Sequence, residues 1–207
     1  MDNVLLINAS TRGSASIGLR LASELLDCIR QRHAQATVTL RDLAAEPLAP
    51  LSAGYATALT RLTPAHDPVF ASSEALVGEL ERCDLLLIAT PMHNFTVPAV
   101  LKLWIDHVLR INRTFIAGPD GKVGLLVDRP VYVIVSSGGF HRGARARQPD
   151  FLSAYLRHVL GTLGLQNVHF VYLEGLAINE QAVLAATTQA RLQLAGHPLF
   201  GDLVTPA

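Results

Sequence analysis

Val4-Leu5-Leu6-Ile7-Asn8-Ala9-Ser10-Thr11-Arg12-Gly13-Ser14-Ala15-Ser16 is the stretch from which the architecture can be read. An apolar run gives way to a loop of small and hydroxyl-bearing residues, and Ile17, Leu21, Leu25 and Ile29 then follow at helical spacing. A short apolar run without alternation is expected of a strand covered on both faces, as strands are in a parallel sheet. The same succession recurs along the chain. Ala36–Leu40, Leu85–Ala89, Val131–Ser136 and Val168–Leu173 read as four further strands. Helical spacing fills about 15–33, 68–82, 98–110, 150–163 and 179–195. β/α repeated five times predicts an α/β protein with an open, doubly wound, five-stranded parallel sheet.

Two stretches interrupt this succession. Residues 114–127 hold the turn Gly118-Pro119-Asp120-Gly121 between Phe115-Ile116 and Val123–Val127, which predicts a hairpin inserted before the fourth strand. Residues 42–66 contain three prolines and little periodicity, so a long loop with one helical turn is expected there. No repeat appears, and residues 1–207 read as one domain.

The 207 residues carry 17 basic and 17 acidic side chains; 50% are hydrophobic and only 16% are charged. Soluble domains average about 25% charged, so apolar surface is left to be covered by a cofactor, a partner or another copy. Disorder is excluded by this composition. Zero net charge gives no electrostatic footprint for nucleic acid or an anionic membrane. Only Arg142, Arg145 and Arg147 are locally basic. Met1-Asp2-Asn3 lacks the positive start of a signal peptide, and the longest uncharged run, Leu85–Leu101, is too short for a membrane span and holds Pro91 and Pro98. A cytoplasmic protein is expected. Cys28 and Cys83 lack metal or redox spacing and read as buried thiols.

In a doubly wound sheet, ligands bind beyond the carboxyl ends of the strands, near the point where strand order reverses. Three loops at that edge have unusual composition. After the first strand, Ser10, Thr11, Ser14 and Ser16 precede a helix, and hydroxyls with free backbone N–H groups suit a phosphate. No lysine accompanies them, which favours a terminal monophosphate; an ordinary serine N-cap also accounts for these residues. After the third strand, Thr90–Pro98 sets Met92, His93, Asn94 and Phe95 between two prolines, a stiff edge able to contact a flat heteroaromatic ring. A solvated histidine with Met92 and Phe95 as core plugs is the plainer account. After the fourth strand, Ser136-Ser137-Gly138-Gly139 lets backbone N–H groups approach a ligand closely, or is simply a flexible turn. Three such loops on one sheet edge favour a single cleft.

These residues resemble the FMN-dependent NAD(P)H:quinone oxidoreductases of the azoreductase type. The most specific part is Pro91-Met92-His93-Asn94-Phe95 with Val97-Pro98, Leu101-Lys102, Trp104-Ile105-Asp106, Thr114-Phe115, Gly121 and Gly124-Leu125. They stand in register with that family's PMYNF-type loop, KxWID helix and TF…GxxGL segment. Ser136–Gly139 is similar to its SRGG-type loop, and Tyr155-Leu156, Gly161, Gly164 and Glu174-Gly175-Leu176 extend the likeness. The resemblance implies a flavodoxin-like fold with bound FMN. It further implies that Ser10 and the Ser16-Ile17-Gly18 turn hold the FMN phosphate. By the same resemblance Met92, His93, Asn94 and Phe95, with Ser136, Ser137, Gly138 and Gly139, hold the isoalloxazine ring and ribityl chain. His93 replaces the family's loop tyrosine, Gly18 a second serine and Ser137 an arginine, while Ala117 stands where tyrosine is frequent. These departures bear on substrate preference.

The resemblance also implies that NADH or NADPH delivers hydride to the flavin and is then replaced by a quinone or azo acceptor, a ping-pong scheme, in a homodimer with the flavin near the interface. No nucleophile is required, in keeping with the lack of any triad or GxSxG pattern. The dispersed histidines show no metal-ligand spacing, and His93 and His141 are candidates to protonate the reduced acceptor. Two other classes remain: a non-enzymatic flavodoxin-like electron carrier and a flavin-binding regulatory protein. Zero net charge argues against the carrier, which docks through a strong acidic field.

Overall fold

The protein is described by a computed structural model covering residues 1–61 and 63–204. In chain order the elements are β1 (Asn3–Asn8), α1 (Ile17–Arg32), β2 (Thr37–Asp42), α2 (Ala53–Thr60), α3 (Ala71–Arg82), β3 (Leu85–Pro91) and α4 (Ala99–Val108), then β4 (Phe115–Gly118), β5 (Gly121–Gly124), β6 (Val131–Ser136), α5 (Leu152–Leu163), β7 (Val168–Leu173) and α6 (Glu180–Ala195). The five long strands pair in parallel in the order β2-β1-β3-β6-β7. β4 and β5 form the separate antiparallel hairpin expected before β6.

Successive side chains of a strand point to opposite faces, and here both faces are covered. Leu86 and Ile88 of β3 join Val133 and Val135 of β6 under α3, α4 and α5, where Leu80, Trp104, Ile105, Leu156 and Leu160 are buried. Leu85 and Leu87 face the other way, with Tyr132, Ile134 and Val171, against Leu21, Leu25 and Ile29 of α1 and Leu194 of α6. Each such fully buried aliphatic side chain contributes about 1.5–3 kcal/mol relative to exposure, so the central strands form a stiff platform for the loops at their ends.

The edges depart from expectation. β2, expected to be covered on both faces, is an edge strand with one neighbour: none of its residues is fully buried, and Leu40 is 55% exposed. Residues 42–66 hold the two-turn helix α2 rather than one turn. Ser52 caps it by accepting the Tyr55 N–H at 3.0 Å, and the Tyr55 ring packs edge-on against Phe70 at 5.2 Å. One cap and one aromatic anchor leave no periodicity to read.

The hairpin is fixed by backbone contact. A Cβ on Gly124 would sit on the backbone of Gly164, the left-handed residue (φ 109°) that ends α5, and the Leu126 N–H donates to the Leu163 carbonyl at 3.0 Å.

Candidate functional site

β1 and β3 flank the point where strand order reverses, and with β6 they carry three loops to one edge. The first loop is set by Asn8, which is fully buried at the end of β1. Its Oδ1 accepts the Ser10 N–H at 3.0 Å, while its Nδ2 donates to Asp42 Oδ2 at 3.0 Å. Burial works against the Asp42 carboxylate, but the Ala45 N–H, the Asn8 amide and the Ala44 N–H outweigh it and hold its pKa below the usual value. Asp42 thus remains charged and keeps Asn8 oriented. Ser10 and Ser16 are both buried, and Ser16 caps α1 by accepting the Leu19 N–H at 3.3 Å. As the first two residues of α1, Ile17 and Gly18 have N–H groups with no intrahelical acceptor, at the positive end of the helix dipole.

The second loop is strained. His93 and Thr96 exchange backbone hydrogen bonds of 2.9 and 3.0 Å, closing a tight turn in which Asn94 (φ 48°) and Phe95 (φ 73°) are both left-handed. Asparagine tolerates that region; a phenylalanine there costs about 1–2 kcal/mol. Such strain survives where surrounding contacts over-determine the backbone, and it concentrates at binding sites.

The third loop is sewn to a fourth segment. The Ser137 hydroxyl donates to the Gly139 carbonyl at 2.9 Å. The N–H groups of Gly175, Leu176 and Ala177, just after β7, donate to the carbonyls of Gly139, Ser137 and Gly138 at 3.1, 3.1 and 3.3 Å.

A cleft of about 240 Å³ runs between these loops. It gathers Ser10, Ser16, Ile17, Met92, His93, Ser136, Ser137 and Gly138 from the residues singled out in the sequence. Gly18 lies behind the lining, where a Cβ would rest 3.7 Å from Ser136 Oγ. Asn94 and Phe95 stand exposed on the turn, and Gly139 holds the Gly175 contact. Arg12, Leu176 and Ala177 also line the cleft and are not among the expected site residues. For the last two the signal was Gly175, whose left-handed φ of 75° turns the chain back over the third loop.

A profile for a family with a flavodoxin-like fold matches residues 2–197. The FMN-dependent NADH:quinone oxidoreductase 4 of Pseudomonas fluorescens is 61% identical over 204 residues, covering 99% of each chain. The FMN-dependent NADH:quinone oxidoreductase 5 of Burkholderia lata is 53% identical over 189 residues, 91% of this chain and 93% of that one. Among solved structures, an FMN-dependent NADH-azoreductase of Bacillus anthracis in complex with FMN superposes with a TM-score of 0.80 at 21% identity. It covers 95% of this chain and 99% of its own, a likeness of fold. Strand order, cleft position and near-complete coverage by these relatives agree: the chain belongs to the flavodoxin-like family of FMN-dependent NADH:quinone oxidoreductases.

Proposed function

We propose that this protein reduces quinones and azo compounds with electrons from NADH, through bound FMN, in two successive half-reactions. The observation that carries this reading is the meeting of a serine-capped helix start, a strained His93–Thr96 turn and the Ser136–Gly139 loop around one cleft. The donor set fits FMN: two buried serines and the unpaired Ile17 and Gly18 N–H groups suit its phosphate, and Ser136 and Ser137 suit the ribityl hydroxyls. Met92, His93, Asn94 and Phe95 supply the edge beside the ring. When bound, FMN accepts hydride from the nicotinamide and passes the electrons on to the acceptor.

The remaining work falls to the chain itself. Asn8 and Asp42 orient the phosphate loop, and the Met92–Ser136 hydrogen bond at 2.8 Å fixes the ring-side wall. His141 Nδ1 donates to the Pro149 carbonyl at 2.9 Å, which leaves Nε2 as the position for a proton bound for the reduced acceptor.

The same reading takes residues 1–207 as one FMN-binding unit in a cytoplasmic homodimer without nucleic-acid or membrane partners. Beside the cleft, Phe95 (41% exposed) and Phe151 (61% exposed) are joined by a 3.0 Å backbone hydrogen bond, an aromatic pair that a second copy would cover. Zero net charge supports the absence of polyanionic partners. Among the described residues no helix is long and apolar enough to cross a membrane.

Steady-state turnover of FMN-loaded protein with NADH or NADPH against quinones and azo dyes tests the proposal. Rapid NADH oxidation with parallel double-reciprocal lines is expected. Failure to oxidise NADH with any of these acceptors would move the protein to the electron-carrier or regulatory class.

A further inference from the structure

We propose that Arg142, Arg145 and Arg147 bind the diphosphate of the nicotinamide dinucleotide, an assignment that rests on the reductase reading above. The three arginines are exposed and occupy one short loop, residues 140–149. Among the described residues none of them forms an ion pair with a carboxylate. Arg41, Arg110, Arg113 and Arg191, by contrast, are neutralised by glutamates.

The loop is held in place beside the cleft. The Arg147 N–H donates to the Phe140 carbonyl at 3.2 Å, the His141 ring donates to the Pro149 carbonyl at 2.9 Å, and the His141 N–H donates to Glu174 Oε1 at 2.7 Å. His141 in turn meets the Phe95 ring edge-on at 6.5 Å, which ties the loop to the His93–Thr96 turn. Two guanidinium groups are seated on aromatic rings: Arg142 lies 3.8 Å from the Tyr172 centroid and Arg145 4.0 Å from that of Phe140. Stacking positions the planar cation and leaves its N–H edge open for oxyanions.

The charge bookkeeping of the site points the same way. FMN brings one phosphate, for which the α1 start already supplies donors, whereas the dinucleotide brings two more negative charges. Among the described residues lining the cleft, Arg12 is the one arginine or lysine. Arg145 and Phe140 also line a cavity of about 340 Å³ with Tyr172 and Glu174, a space that would receive the uncharged adenosine end.

Calorimetric titration with ADP-ribose, which carries the diphosphate without the nicotinamide, tests the assignment on FMN-loaded protein. The triple variant Arg142→Ala, Arg145→Ala, Arg147→Ala is expected to bind it about tenfold more weakly or worse, with FMN affinity unchanged. The triple lysine variant, which keeps the charge but loses the planar stacked fork, should recover only part of the affinity. In turnover with a neutral quinone, KM for NADH should rise by a similar factor, while a phosphate-free reduced nicotinamide is oxidised as by wild type. Equal loss with both donors, unchanged ADP-ribose binding, or a KM effect confined to sulfonated azo acceptors would overturn the assignment. Wild-type protein that binds ADP-ribose but oxidises neither donor would instead overturn the reductase reading while leaving the anion site standing.

Discussion

Met92 donates its backbone N–H to the carbonyl oxygen of Ser136 at 2.8 Å, so the loops after β3 and β6 form one continuous wall of the cleft. The register Pro91↔Ser136 carries sheet pairing up to that contact, and strand geometry therefore passes directly into site geometry.

On that wall the turn and the Asn94 side chain can be separated. Glycine accepts the left-handed φ of 48° at no cost, so Asn94→Gly should leave the unfolding midpoint unchanged. Loss of the amide should weaken FMN binding about tenfold. Fluorescence titration with FMN, alongside thermal unfolding, checks both halves.

At the opposite end of the cleft, Ser10→Ala and Ser16→Ala should weaken FMN binding, and Ser16→Ala should also lower stability by about 1 kcal/mol through the lost cap. Cys83→Ala serves as the contrast. Cys83 is buried against the core and lies outside the cleft, so its removal should lower stability without moving FMN affinity. Equal FMN effects in all three variants would return the serines to structural roles.

Gly124→Ala should destabilise the fold by about 3 kcal/mol, because its Cβ would meet the Gly164 backbone, which cannot give way as a side chain would. Gly54→Ala, in α2 with its nearest neighbour at 3.6 Å, is the control and should raise stability by up to about 1 kcal/mol. Urea unfolding of the two variants distinguishes hairpin docking from a general intolerance of alanine.

A pH dependence is expected from His197, far from the cleft chemistry. Burial, aided by the neighbouring His169, pushes its pKa down, and the rings of Tyr132 and Phe200 pack against it at 5.2 and 5.8 Å. The unfolded chain takes up this proton near pH 6.5, the folded chain only at lower pH. The unfolded state thus binds more protons in that window, and stability falls as pH drops below about 6.5 until the folded group also titrates. His197→Gln should flatten this part of the curve, read from urea midpoints between pH 5 and 8; a wild-type curve equally flat would contradict the assignment.

Much of this was legible in the sequence because the central strands are buried on both faces. Leu85–Ala89 and Val131–Ser136 read as continuous apolar runs for the same reason that Leu87 and Ile134 are buried. β2 misled because Val38 and Leu40 are apolar letters on an edge strand, and sequence alone does not say which strand lacks a second neighbour. The cleft was legible where composition changed sharply, as at Ser10–Ser16 and Met92–Phe95. The place of Leu176 and Ala177 in the cleft was not legible, because it depends on backbone hydrogen bonds to Ser137 and Gly138, which any residue except proline can make. The strain at Phe95 was equally hidden, since nothing in the letter F announces a positive φ.

The central claim is that FMN held in this cleft passes electrons from NADH to a quinone in separable half-reactions. Anaerobic spectrophotometry of protein loaded with one equivalent of FMN tests it most directly. NADH alone should bleach the flavin absorbance, and a quinone added after the nucleotide has been removed should restore it. Protein that cannot be reconstituted with FMN, or whose flavin absorbance is unmoved by NADH, would contradict the account.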